Sequence, residues 1–136
     1  MPVEGSCFCG RVRYRITSPL RAARSCHCSR CRKAFSGAGS VYSEVVPGSF
    51  TWTSGEENLA RLDSRAGFGL CFCRTCGTTL AGTYEGKVHG ITLGPIDGDP
   101  GVEIGMHIFV GSKAPWDHIG GSAPQFAERP QQEGSG

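Results

Sequence analysis

The sequence predicts a mainly β fold, with antiparallel sheets and one short helix. The 136 residues are enough for one ordinary domain. The 21 glycines are about twice the usual share of roughly 7% and indicate many tight turns between short strands. Val12, Tyr14 and Ile16 alternate with three arginines, which is the period of a half-buried strand. We expect a single domain over residues 1–130 and a flexible C-terminal tail over residues 131–136.

The first strand ends at Pro19, and a short helix is expected to follow it. Residues 29–36 do not alternate and contain good helix formers, with Ser29 placed to cap the helix. Gly37 and Gly39 are expected to end it. The remaining predicted strands cover residues 41–46, 50–53, 59–64, 68–72, 88–93 and 104–110. Pro47-Gly48 separates the first two of these.

Composition excludes several classes of protein. No stretch approaches the roughly 18 apolar residues that a membrane-spanning helix needs. The first residues, Met1 to Gly5, lack the apolar core of a secretory signal, so we expect a cytoplasmic protein. In that reducing compartment, eight cysteines are expected to be metal ligands rather than disulfides.

Charge is distributed unevenly along the chain. Up to Lys33 there are eight basic residues and one acidic residue, Glu4. These cations are either a solvated strand face that balances metal thiolates or a site for an anionic ligand. Beyond Tyr14 they lack interleaved aromatic side chains, which argues against nucleic-acid binding.

Two of the three cysteine stretches are closed by glycine and predict a structural metal site. Cys73 and Cys76 precede Gly77 and form a knuckle that presents both sulfurs on one side of a tight turn. A single knuckle gives two ligands, whereas zinc takes about four in a tetrahedron. Cys7 and Cys9, which precede Gly10, are the obvious partners. The four cysteines Cys7, Cys9, Cys73 and Cys76 are therefore expected to bind a structural zinc with no open position.

The middle stretch predicts a second, reactive zinc. Cys26, Cys28 and Cys31 lie within six residues and leave one tetrahedral position vacant for water, substrate or a thiol. Three thiolates give the site a net charge of about −1, so it should prefer a soft fourth ligand such as sulfur. Arg30 and its basic neighbours should keep the thiolates ionised. We expect two Zn²⁺ ions per chain.

Other candidate residues remain open at this point. Cys71 shares a strand face with Cys73 and could reach a metal, although a small buried apolar side chain is the favoured interpretation. His27 could fill the vacant position, but its neighbouring ligands restrict it, which favours a local hydrogen-bonding role. His89 and His107 lie in predicted strands and are interpreted as structural, and His118 is unassigned.

The combination of these motifs resembles the family of glutathione-dependent formaldehyde-activating enzymes, which shares its domain with centromere protein V. Four stretches carry the resemblance: Gly5-Ser6-Cys7-Phe8-Cys9-Gly10, Cys26-His27-Cys28-Ser29-Arg30-Cys31-Arg32-Lys33, Phe72-Cys73-Arg74-Thr75-Cys76-Gly77-Thr78 and His107-Ile108-Phe109-Val110-Gly111-Ser112-Lys113-Ala114-Pro115-Trp116. Together they span nearly the whole chain, and the set is far more specific than any one knuckle.

The resemblance implies a β-tent fold of the Mss4 type and the same division of the cysteines into structural and catalytic zinc sites. It also implies a carbon–sulfur lyase that interconverts S-hydroxymethylglutathione with glutathione and formaldehyde. The expected partners are therefore a small thiol and an aldehyde, with no membrane. Two alternatives remain: a non-catalytic zinc-binding interaction module, and a zinc-handling or redox protein.

Overall fold

The computed structural model describes residues 2–130, so the predicted tail over residues 131–136 lies outside the described residues. The strands and the helix are β1 (Val3–Ser6), β2 (Arg13–Ile16), β3 (Ala23–Cys26), α1 (Ser29–Phe35), β4 (Ser40–Glu44), β5 (Phe50–Ser54), β6 (Leu59–Asp63), β7 (Phe68–Cys73), β8 (Thr79–Tyr84), β9 (Lys87–Thr92) and β10 (Ile104–Ile108). Short 3-10 helices cover Glu56–Asn58, Arg65–Gly67 and Val110–Ser112. The mainly β class with one short α-helix is confirmed. Within the described part of the chain, no helix is long and apolar enough to cross a membrane.

The helix lies where it was predicted, but its cap differs. Cys28 is the N-cap residue, with extended backbone at φ −70° and ψ 159°. Its Sγ accepts a hydrogen bond from the Cys31 N–H at 3.3 Å. The predicted cap, Ser29, is the first residue inside the helix. The helix therefore begins one residue earlier than the predicted cap allowed, and a cysteine sulfur rather than a serine hydroxyl accepts the capping hydrogen bond.

Three strands were not predicted. β1 and β3 are four residues each, too short for an alternating pattern to stand out in the sequence. β8 buries both Leu80 and Ala81, which breaks strict alternation. The other strands, β2, β4, β5, β6, β7, β9 and β10, match the predicted segments within a few residues at each end.

By internal packing the chain divides into two compact units. The first unit contains residues up to 21 and residues 43–102. It holds a three-stranded antiparallel sheet in the order β1-β2-β5. It also holds an antiparallel meander in which β6, β7, β8 and β9 pair consecutively.

The core of the first unit forms around the alternating strand that the sequence predicted. Tyr14 and Ile16 of β2 are buried, while the arginines between them are exposed. The Tyr14 ring stacks on Phe50 at 5.3 Å and meets the edge of Trp52 at 6.2 Å. Tyr14 is 1% exposed, so its ring is part of the core of this unit.

The second unit contains residues 22–42 and residues from 103 onward. In it, β3 pairs antiparallel with the start of β4 and parallel with β10. The sequence predicted antiparallel sheets, and the pairing of β3 with β10 is a parallel exception to that pattern. The other edge of β10 is occupied by the chain after it. Phe126 N–H donates to His107 O at 2.9 Å, and His107 N–H donates to Pro124 O at 2.8 Å. The Gly- and Pro-rich segment over residues 120–130 is thus held against β10 by backbone hydrogen bonds, which its composition did not predict.

Candidate metal centres

Four cysteines of the first unit lie together. The Sγ atoms of Cys7, Cys9, Cys73 and Cys76 are all within 4.8 Å of one another. The Cys9 Sγ is 3.6 Å from the Cys7 Sγ and 3.7 Å from the Cys73 Sγ. Four sulfurs at about 2.3 Å from one zinc in a tetrahedron are separated by about 3.8 Å. The observed separations fit that geometry, so this cluster could hold a metal ion.

A glycine closes the turn that carries each pair. Gly10 N–H donates to Cys7 O at 3.0 Å, and Gly77 N–H donates to Cys73 O at 2.8 Å. Both glycines adopt left-handed backbone, at φ +83° and +82°. A residue with a Cβ pays about 1 kcal/mol or more for this conformation. The Cys-Gly pattern is therefore the local cause of the geometry that brings the sulfurs to one side of each turn.

Hydrogen bonds from backbone and side-chain groups reach the sulfurs of this cluster. The Val12 N–H donates to Cys7 Sγ and Asn58 Nδ2 donates to Cys73 Sγ, both at 3.3 Å. Burial opposes ionisation of Cys76, but hydrogen bonds with Thr78 and the backbone lower the pKa of Cys76 to about 5. Such donors around thiolates favour the form that binds a metal. No motif pointed to Asn58, which lies 15 residues before Cys73.

The end of a strand and the start of the helix bring together three cysteines of the second unit. Cys26 ends β3, Cys28 caps α1 and Cys31 lies in its first turn. Their Sγ atoms are all within 4.8 Å of one another. This cluster could also hold a metal ion, and it supplies three of the four donors of a tetrahedral site.

The electrostatics of the second cluster favour one thiolate in particular. A hydrogen bond from Cys26, with further contributions from Ser40 and the positive charge of Arg30, lowers the pKa of Cys31 to about 6 against the effect of burial. The same hydrogen bond, together with burial, raises the pKa of Cys26. Cys31 is thus the more readily ionised of the two sulfurs.

His27, between two of these cysteines, is buried in a separate polar network. Its Nε2 lies 3.2 Å from Ser25 Oγ and 3.0 Å from His107 Nδ1. Its Nδ1 lies 3.7 Å from Asp117 Oδ2. Burial, and then the nearby His107, lower the pKa of His27, so the ring is neutral at pH 7. The two contacts of Nε2 support the hydrogen-bonding interpretation of His27, whereas Nδ1 is buried without a hydrogen-bond partner.

The profile described as glutathione-dependent formaldehyde-activating enzyme matches residues 2–112. The chain belongs to the glutathione-dependent formaldehyde-activating enzyme family. The match covers most of the chain and includes every cysteine of both clusters. It confirms the resemblance drawn from the four sequence stretches, and the name of the family denotes an enzyme.

Two individual proteins are similar to this family member. A 40-residue stretch is 50% identical to a Halomonas elongata protein that is provisionally named a glutathione-dependent formaldehyde-activating enzyme. That stretch is 29% of this chain and 26% of the relative, so the match spans about a quarter of the relative's length. The crystal structure of a Rhodobacter sphaeroides protein aligns with a TM-score of 0.54 and 20% identity, over 90% of this chain and 98% of that one. This second likeness supports the fold alone.

The remaining candidate residues of this family member lie apart from the clusters. His107 joins the His27 network, an association across 80 residues that the sequence did not reveal. His89 is exposed and lies 6.2 Å from the Phe68 ring. Cys71 is fully buried among apolar side chains of the first unit, and burial raises the pKa of its thiol.

Cys71→Ala is therefore expected to leave the metal content unchanged. Cys71 belongs to neither cluster, and removing one small buried sulfur should lower the free energy of unfolding by about 1 kcal/mol or less. Elemental analysis and a thermal melt of the purified variant test this expectation. Loss of one full metal equivalent would show that Cys71 is a ligand.

Proposed function

We propose that this chain is a zinc-dependent carbon–sulfur lyase that acts on a thiol–aldehyde adduct such as S-hydroxymethylglutathione. The observation that carries the proposal is the separation of seven cysteines into a closed set of four and a set of three, in a member of this family. A four-sulfur site has every position filled and suits a structural role, whereas a three-sulfur site leaves one position for a reactant.

Zinc is the metal that this proposal assigns to both clusters. All the donors are cysteine sulfurs, which favour zinc over the hard cations. Cys7, Cys9, Cys73 and Cys76 would hold the structural ion, and Cys26, Cys28 and Cys31 would hold the catalytic one. When bound at the second cluster, zinc supplies a position at which a thiol sulfur is stabilised as thiolate.

The reaction requires a thiol to lose its proton and a carbon–sulfur bond to form. The sulfur attacks the aldehyde carbon, the carbonyl π electrons move to oxygen, and that oxygen takes up a proton. The reverse reaction breaks the same bond and returns the proton to sulfur. The residues of the second cluster orient the sulfur, so that the two reactants meet at one place.

The charge around the second cluster suits an anionic thiol. Arg30 favours ionisation of Cys31, and Arg32 and Lys33 lie in the last turn of the same short helix. Glutathione carries carboxylates, so these cations would raise its local concentration. All eight cysteines are free thiols, which suits the reducing cytoplasm that we propose as the location.

Measuring the rate of exchange between glutathione and its formaldehyde adduct tests this function. The adduct also forms without an enzyme, so the exchange rate at equilibrium must be measured, for example by exchange NMR. We expect the zinc-loaded protein to accelerate exchange and the metal-free protein to have no effect.

Other small thiols extend the same experiment. Acceleration with another thiol but not with glutathione would keep the lyase class and change the substrate. If the protein accelerates exchange for no thiol, and no thiol changes the spectrum of the cobalt-substituted protein, the lyase proposal is wrong. A non-catalytic zinc-binding module then replaces it.

A further inference from the structure

We propose that Arg24, Arg129 and Tyr42 form a carboxylate-binding subsite beside the three-cysteine cluster, which selects thiols that carry a carboxylate. This inference rests on the proposed function, because it assumes that a thiol binds at the cluster. None of these three residues belongs to a cysteine motif, and Arg129 lies beyond the residues that match the family.

Strand register places two of the residues on the same face as a cluster cysteine. β3 and β4 pair antiparallel with Arg24 opposite Tyr42 and Cys26 opposite Ser40. Residues opposite each other share a face, and so do residues two apart on one strand. Arg24, Tyr42 and Cys26 therefore lie on one face, with Cβ separations of about 5 Å directly across and about 7–8 Å on the diagonal. A small thiol acid can span this distance from its sulfur to its carboxylate.

Backbone hydrogen bonds and an aromatic ring hold Arg129. Phe109 N–H donates to Glu128 O at 3.0 Å, and Val110 N–H donates to Phe126 O at 3.0 Å. The Arg129 guanidinium carbon lies 5.6 Å from the centre of the Phe109 ring. Phe109 has φ 57°, a conformation that is strained for a bulky residue. This strained residue supports the arginine, consistent with a functional constraint at this position.

Strand pairing places Arg129 near the cluster: Ile108 of β10 pairs with Cys26 of β3, and the next residue, Phe109, lies under the Arg129 guanidinium. Burial is the main cause of the raised pKa of Tyr42, and Cys26 and Cys31 raise it further, while Arg24 and Arg129 oppose them. A tyrosine hydroxyl is a hydrogen-bond donor. Two guanidinium groups and one phenol O–H offer charged and neutral hydrogen-bond donors, which is the chemistry that recognises a carboxylate.

The test compares thiols of similar size that differ in charge: 3-mercaptopropionate, 2-mercaptoethanol and cysteamine. Their dissociation constants are measured from the thiolate-to-cobalt absorption of the cobalt-loaded protein. We expect the wild-type protein to bind 3-mercaptopropionate about tenfold more tightly than 2-mercaptoethanol, and cysteamine more weakly than either.

Arg129→Gln is expected to remove most of this preference, Arg129→Lys to keep part of it, and Tyr42→Phe to reduce it severalfold. The control is Arg15→Gln, which removes an exposed arginine from β2 of the first unit and should keep the full preference. Thermal melts establish that each variant is folded. Tyr42→Phe removes only the hydroxyl and retains the ring. It is therefore expected to fold, and it tests the subsite even if an arginine variant does not fold.

Equal binding of the charged and uncharged thiols by the wild-type protein would overturn the subsite and leave the proposed lyase standing. A preference that survives in both Arg129→Gln and Tyr42→Phe would also overturn it. If no thiol changes the cobalt absorption, the proposed function fails, and this inference fails with it.

Discussion

Cys76→Ser is expected to unfold the first unit or to destabilise it strongly. The four-cysteine cluster of this unit joins two turns that are more than 60 residues apart in sequence. The 3.7 Å contact between the Cys9 and Cys73 sulfurs shows this. Structural zinc sites contribute about 10–16 kcal/mol to folding in small peptides. A typical domain is stable by only about 5–15 kcal/mol. Loss of one of the four ligands therefore weakens an interaction that is as large as the whole stability, because three sulfurs hold zinc less tightly than four.

Far-UV circular dichroism, a thermal melt and elemental analysis measure this effect. The variant should melt well below the wild-type protein and should give up the metal of this cluster to a mild chelator that leaves it bound in the wild-type protein. Cys71→Ala is the matched control, since it removes a buried sulfur of the same unit that lies in neither cluster. A Cys76→Ser variant that melts like Cys71→Ala would contradict the structural role of the four-cysteine cluster.

Cys28→Ser is expected to abolish acceleration of exchange and to remove the second metal equivalent while the fold is retained. The Cys28 sulfur caps α1 by accepting the Cys31 N–H at 3.3 Å. Serine is a preferred N-cap residue, so its hydroxyl can keep this hydrogen bond. The substitution thus removes one thiolate from the three-cysteine cluster with little change to the helix. Two cysteines alone bind zinc weakly, since a stable site needs three or four protein ligands.

Exchange NMR, elemental analysis and a melt on the same preparation separate the possible outcomes. The melting temperature should stay within a few degrees of the wild-type value, because the first unit keeps its four cysteines. Ser29→Ala, at the neighbouring helix position, is the control and should keep both metals and activity. If Cys28→Ser melts as early as Cys76→Ser, the division into structural and catalytic clusters is wrong.

Local patterns were enough to predict much of this molecule. The alternation of β2 predicted which residues are buried, since successive side chains on a strand face opposite sides. The short helix was predicted from residues within its own span. The contents of the three-cysteine cluster were also evident, because Cys26, Cys28 and Cys31 are neighbours in sequence. The pairing of the Cys7-Cys9 turn with the Cys73-Cys76 turn could be predicted only because a tetrahedral metal needs four ligands and each turn supplies two.

The sequence by itself determined the class of fold, the composition of the two cysteine clusters and the family, because these depend on short spacings and on residue types. Only the tertiary structure decided the contacts between distant segments. It placed His107 against His27, Asn58 against Cys73, and Arg129 over the ring of Phe109. It also decided the parallel pairing of β10 with β3. Such contacts join residues that no local period relates, and they form only when burial of the whole core fixes which strands become neighbours.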